Sequence, residues 1–64
     1  MDHVSKNFEA GNALRKGRVA RGYSLEELAT TTGLTTAEIV AAERGDNVPA
    51  HNVERIEQAL RYPA

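Results

Sequence analysis

The apolar residues of this chain recur at intervals of three and four, and no stretch alternates apolar and polar residues as a half-buried strand does. The pattern is clearest near the end of the chain, where Val53, Ile56 and Leu60 fall at positions i, i+3 and i+7. It predicts an all-α domain without strands, with helices over residues 8–21, 25–32, 36–44 and 49–61. Residues from these helices and from the turn after the second should form the core: Phe8, Leu14, Leu28, Ala29, Leu34, Ile39, Val53, Ile56 and Leu60.

Two consecutive stretches carry a full set of helix-start signals. Ser24 is followed three residues later by Glu27, and Thr35 is followed in the same way by Glu38, which is the spacing of a capping box. Each cap also has an apolar residue before it that can pack on one five places further on: Tyr23 with Leu28, and Leu34 with Ile39. Gly33 lies between the two stretches, where the first helix must end. Two short helices joined by a glycine-containing turn are typical of a helix-turn-helix.

The order and spacing of ten positions go beyond this geometry: Arg18, Gly22, Ser24, Leu28, Ala29, Gly33, Ile39, Glu43, Gly45 and Pro49. In this register the chain resembles the phage-repressor (Xre-type, lambda-repressor-like) helix-turn-helix family. The resemblance covers residues 14–60, which are 47 of the 64 residues. It implies a compact four-helix domain that binds DNA, with helix 36–44 as the recognition helix. The family's fifth helix is not expected, because the sequence stops at Ala64.

The first predicted helix is the least regular part of this pattern. Phe8, Leu14 and Val19 would supply its apolar side, while Gly11 and Gly17 should each weaken it by about 1 kcal/mol relative to alanine. The family usually has a core leucine at the position of Gly17. Either a neighbour, for which Tyr23 is the nearest candidate, fills that space, or the helix packs unusually close. Residues 1–7 are mainly polar, with one valine, and are predicted to form a flexible arm before a domain over residues 8–62.

Composition and charge exclude some classes of function but do not select one. The chain has no cysteine, which is consistent with a cytoplasmic location, and it contains no apolar run long enough to span a membrane. The formal net charge is −1, but residues 1–22 carry five basic and two acidic groups, whereas residues 23–64 carry three and seven. No catalytic spacing and no metal-ligand cluster is present. We therefore expect neither an enzyme nor a cofactor.

The resemblance implies where DNA would be contacted. Phosphate contacts are expected from basic and polar residues around the motif: Arg15, Lys16, Ser24, Leu25, Arg44 and Asn47. Base contacts are expected from the outer face of the recognition helix: Thr36, Ala37, Val40 and Ala41. The arginine and glutamate that match Arg18 and Glu43 form an ion pair in the family, and the same pair is expected here.

Two departures from the family weaken the DNA interpretation. Leu25 stands where a glutamine commonly touches phosphate, so that only the backbone amides of the helix start remain. The outer face of the recognition helix offers mainly methyl groups, which suit thymine methyls but equally suit another protein. Two functions therefore compete. One is a sequence-specific transcriptional regulator that binds double-stranded DNA as a homodimer. The other is a protein-binding module that sequesters a partner, as an antitoxin does. The chain could also be the DNA-binding part of a longer regulator.

Overall fold

Four helices make up the domain in the computed structural model, which describes the backbone of residues 2–61 and the side chains of residues 9–61. Their bounds are α1 Asp2–Ala20, α2 Leu25–Thr32, α3 Thr36–Glu43 and α4 Ala50–Arg61. No strand occurs among these residues, and the predicted all-α class is confirmed. Helix α3 packs against each of the other three helices, so that α1, α2 and α4 together hold it in place.

Both capping boxes form as the sequence predicts. The amide of Glu27 donates to Ser24 Oγ at 3.0 Å, and the amide of Ser24 donates back to Glu27 Oε1 at 2.8 Å. Thr35 and Glu38 exchange the same two bonds at 2.8 and 3.1 Å. Gly33 ends α2 with a φ of 77°, in the left-handed region where a side chain would be strained. These local bonds explain why α2 has the predicted bounds.

The ends of the other helices differ from the prediction. Helix α1 begins at Asp2 rather than at residue 8, because the backbone of residues 2–7, predicted as an arm, continues the helix. At its other end α1 stops at Ala20, one residue early. Arg44 caps α3 instead of belonging to it, and Pro49 precedes α4, so each of these helices is one residue shorter than predicted.

The core lies where α2, α3 and α4 meet α1. Leu28, Ile39 and Ile56 are completely buried, and Leu14 is nearly so. The other predicted core residues with described side chains are partly buried around this centre: Ala29, Leu34, Val53 and Leu60. Ala42 and Ala59 also belong to the core, whereas Val19 is 60% exposed and contributes nothing to it. The side chain of Phe8 lies outside the described residues.

The two glycines of α1 mark its closest approaches to other helices. Gly11 is buried, and a Cβ added there would lie 2.5 Å from the carbonyl oxygen of Glu43. At Gly17 the space is taken by Leu60 of α4, whose Cδ1 would lie 3.0 Å from an added Cβ. Of the two alternatives expected, a neighbour therefore fills the space, but that neighbour is Leu60 and not Tyr23. Helix α4 supplies the apolar group instead, so these glycines serve packing rather than only weakening α1.

Candidate nucleic-acid interface

The outer side of α3 presents small side chains. Thr36 and Ala37 are exposed, while Val40 and Ala41 are half-buried. Together with Arg44 they fall within an arc of roughly 140° on a helix that advances about 100° per residue. Ile39 and Ala42 point to the other side and are buried, so the core fixes which side of α3 faces outward. The structure thus brings the four predicted base-reading residues onto one continuous face.

An ion pair ties the end of α3 to α1. Arg18 Nε lies 2.6 Å from Glu43 Oε2, and Arg18 Nη2 donates to Glu43 Oε1 at 3.3 Å. The two side chains are only 14% and 8% exposed, so solvent screens the pair weakly. Arg18 Nη1 also donates to the carbonyl oxygen of Tyr23 at 3.0 Å, just before α2 begins. One guanidinium therefore holds together α1, the end of α3 and the approach to α2.

A shallow groove of about 440 Å³ lies between α1, the start of α2 and α3. Its apolar lining comes from Leu25 and Val40, and the exposed arginines Arg15 and Arg44 line it from α1 and from the end of α3. The groove joins four of the residues predicted for DNA contact. Sequence reasoning missed one further lining residue, Asn12, which lies one helical turn before Arg15 and carries a carboxamide able to donate to phosphate.

The start of α2 offers fewer free amides than the sequence suggested. The amide of Ser24 is engaged with the carboxylate of Glu27, so this residue keeps only its hydroxyl proton for an outside acceptor. The amide of Glu27 is likewise used by the cap. Among the hydrogen bonds of the described residues, the amides of Leu25 and Glu26 remain for a phosphate. Leu25 itself is half-buried against the core, so only its backbone is suited to that role.

Three of the six predicted phosphate contacts do not line the groove: Lys16, Ser24 and Asn47. Lys16 is exposed on a neighbouring strip of α1 that it shares with Arg15 and Val19. Asn47 is exposed in the loop after α3, beside a cavity whose other lining includes Gly11 and Val53. The structure therefore places these three residues away from the groove, whereas Arg15, Leu25 and Arg44 line it.

Carboxylates balance the arginines around this surface. Glu26 and Glu27 are exposed at the start of α2, and Glu38 is exposed at the start of α3. The carboxylates of Glu27 and Glu38 accept amide hydrogen bonds of their own helices, which compensates part of their charge. Arg44 Nε lies 3.9 Å from Asp46 Oδ2, and both side chains are largely exposed, so this contact is weak. The surface is mixed in charge rather than basic.

Comparison with known proteins identifies the family. The model of a helix-turn-helix family of Xre and lambda-repressor type matches residues 14–64. No curated protein and no solved structure was found to match. Within the part of the chain that the structure describes, no helix is long and apolar enough to cross a bilayer. The matched region contains both capped helices and the Arg18–Glu43 pair. The chain belongs to the Xre-type, phage-repressor-like helix-turn-helix family of DNA-binding regulatory domains.

Proposed function

We propose that this protein is a sequence-specific transcriptional regulator that lays α3 in the major groove of double-stranded DNA. The single observation that supports this best is the face of α3, which is continuous, free of long side chains and flanked by two exposed arginines, Arg15 and Arg44. The major groove is about 12 Å wide and admits one helix. The residues at the start of a recognition helix contact base edges. Here those residues are Thr36 and Ala37, followed by Val40 and Ala41.

Phosphate contacts on either side of the DNA major groove would position the domain. Arg15 and Arg44 supply full charges at the protein groove between α1, α2 and α3, and the amides of Leu25 and Glu26 supply the contact at the start of α2. Lys16, the Ser24 hydroxyl and Asn47 would add contacts at the edges of the footprint. With so few full charges, one monomer would neutralise about two to four phosphates, so that the slope of log K against log salt would be roughly −2 to −4.

A homodimer would give the required specificity. A recognition helix of eight residues reads only a few base pairs, whereas two copies related by a twofold axis read two half-sites about 34 Å apart. The DNA-binding role would place the protein in the cytoplasm.

The alternative is a protein-binding module that uses the same face of α3 to hold a partner. The observation that favours it is the presence of Glu26, Glu27 and Glu38 at the two helix starts that would face phosphate. Their charge opposes DNA but not an apolar or basic protein surface. The arginines at the groove and the family match favour DNA.

Titration of labelled double-stranded DNA, including the DNA next to the protein's own gene, at several salt concentrations would test the proposal. Val40→Glu should abolish binding, because it places a carboxylate on the face that enters the groove. Gln58→Glu adds the same charge on the exposed side of α4 and should leave binding nearly unchanged. Arg44→Ala should weaken binding to every sequence alike and reduce the salt slope by about 1.

Two results would contradict the proposal. One is the absence of any DNA binding at low salt by the folded parent protein. The other is equal loss of binding in Val40→Glu and Gln58→Glu. If the parent instead forms a complex with a protein, and Val40→Glu abolishes that complex, the alternative holds.

A further inference from the structure

We infer that the face of α3 reads the 5-methyl groups of pyrimidines, so that it accepts thymine and 5-methylcytosine at the same positions of its DNA site. This inference rests on the proposed function and specifies the chemistry by which the protein selects its DNA site. It makes binding responsive to cytosine methylation.

The first step is the chemistry of the face itself. Thr36, Ala37, Val40 and Ala41 all end in methyl groups, and only Thr36 adds a hydrogen-bonding group. The usual readers of base edges are arginine, lysine, asparagine and glutamine, which form paired hydrogen bonds. None of these stands at the four positions, so contact with bases is mainly between methyl groups and apolar atoms. The 5-methyl group is the apolar feature that a pyrimidine presents in the major groove.

The second step is that other polar groups near the face are already engaged or displaced. The Glu38 carboxylate accepts the amide and the hydroxyl of Thr35, at 2.8 and 3.2 Å, and is held at the helix start. Arg44 lies after the last residue of α3, with Asp46 beside it, and so belongs to the edge of the surface. Base selection therefore depends on the methyl-bearing residues.

The third step concerns how closely α3 can approach the base edges and why it accepts 5-methylcytosine as well as thymine. No long side chain on the four positions holds the α3 backbone away from the groove, so short side chains can reach the base edges. Thymine and 5-methylcytosine carry the methyl group at the same ring position and differ in the neighbouring group, an acceptor in one and a donor in the other. The Thr36 hydroxyl can donate or accept, so it tolerates both bases.

The experiment uses the whole chain and a double-stranded site that it selects from a random pool. Each thymine of that site is replaced in turn by uracil, and each T·A pair by C·G or by 5-methylcytosine·G, and the affinities are measured at one salt concentration. Removal of a contacted methyl should weaken binding about fourfold, the loss expected for one buried methylene-sized group. At the same position, 5-methylcytosine should bind about fourfold more tightly than cytosine.

Variants of α3 test whether the loss of affinity with uracil arises from contact with α3 rather than from altered DNA flexibility. Thr36→Ser removes one methyl group and keeps the hydroxyl, and Val40→Ala shortens a half-buried side chain. At least one of them should reduce the difference between thymine and uracil to less than twofold at one position. Arg44→Ala, the matched control, should weaken binding to both bases equally and leave their ratio unchanged.

The possible failures are distinguishable. One failure is that the parent binds a selected site with the same affinity for uracil as for thymine, and for 5-methylcytosine as for cytosine, at every position. In that case the inference is wrong, but the proposed regulatory function stands. A uracil penalty that persists unchanged in both α3 variants reflects DNA shape and also overturns the inference. Failure to bind or to enrich any DNA overturns the proposed function and the inference with it.

Discussion

Replacing Gly11 by alanine separates the effect of local helix propensity from that of tertiary packing, because the two predict opposite signs. In an isolated helix, alanine is favoured over glycine by about 1 kcal/mol. In the folded domain, the new Cβ would lie 2.5 Å from the Glu43 carbonyl oxygen, 2.7 Å from that of Ala42 and 2.8 Å from the Gly45 amide nitrogen. All three are backbone atoms at the end of α3, so rotation of a side chain cannot relieve the overlap.

The size of the loss follows from these contacts. Overpacking of a well-packed site costs about 1–3 kcal/mol, and sites where the backbone must move lie at the upper end of that range. After the gain of about 1 kcal/mol from helix propensity, we expect Gly11→Ala to lower the free energy of unfolding by about 2 kcal/mol. Typical stability per residue predicts a total of only about 3–10 kcal/mol for a domain of this length. The melting temperature should therefore fall by about 8–16 °C.

Urea unfolding followed by circular dichroism at 222 nm measures this effect, with Gly17→Ala as the matched control in the same helix. At Gly17 the added Cβ would meet only the side chain of Leu60, whose Cδ1 would lie at 3.0 Å, and that side chain can rotate. Gly17→Ala should therefore remain within about 1 kcal/mol of the parent, since propensity offsets the contact. A Gly11→Ala variant as stable as the parent, or more stable than Gly17→Ala, would falsify the close approach of α1 to α3.

Other predictions test the core and the ion pair. Ile39 is completely buried, so Ile39→Ala should lower the free energy of unfolding by about 2–5 kcal/mol, and melting within a few degrees of the parent would show that the core is assigned wrongly. Arg18→Met or Glu43→Leu alone should cost about 3 kcal/mol, because each leaves a charge in a site of low exposure. The double variant should be more stable than the sum of the single losses implies, and a double-mutant cycle without coupling would refute the pair.

Much of the fold could be predicted because its signals act within a few residues. The capping boxes at Ser24 and Thr35 and the left-handed position at Gly33 involve atoms no more than four residues apart, so the sequence determines them without reference to other helices. The same holds for which side of α3 faces inward, since Ile39 and Ala42 follow the helical period. Arg18 and Glu43 are 25 residues apart, and resemblance to the family, rather than any local pattern, led to the expectation that they pair.

Local signals do not determine where a helix begins when no residue forces a start. Residues 2–7 lack a strong cap and an apolar period, and the sequence therefore predicted an arm where the backbone continues α1. Local signals also do not show that a polar side chain is buried: Asn52 is only 3% exposed. Burial depends on the distance between helices, which the type of residue does not report.

Apart from the Arg18–Glu43 pair, the specific polar contacts between helices were decided only by the tertiary structure. Arg55 of α4 donates to the carbonyl oxygen of Thr32 at 3.3 Å and so joins the end of α2 to α4, although nothing in the sequence connects them. Tertiary packing also brings Asn12, Arg15, Leu25 and Arg44 to one groove, and Gly11 lets α1 approach the end of α3 closely. Capping and periodicity determine each helix separately. The distance between helices depends on the volumes of the side chains that meet across the core. A glycine, which lacks a Cβ, can therefore change that distance.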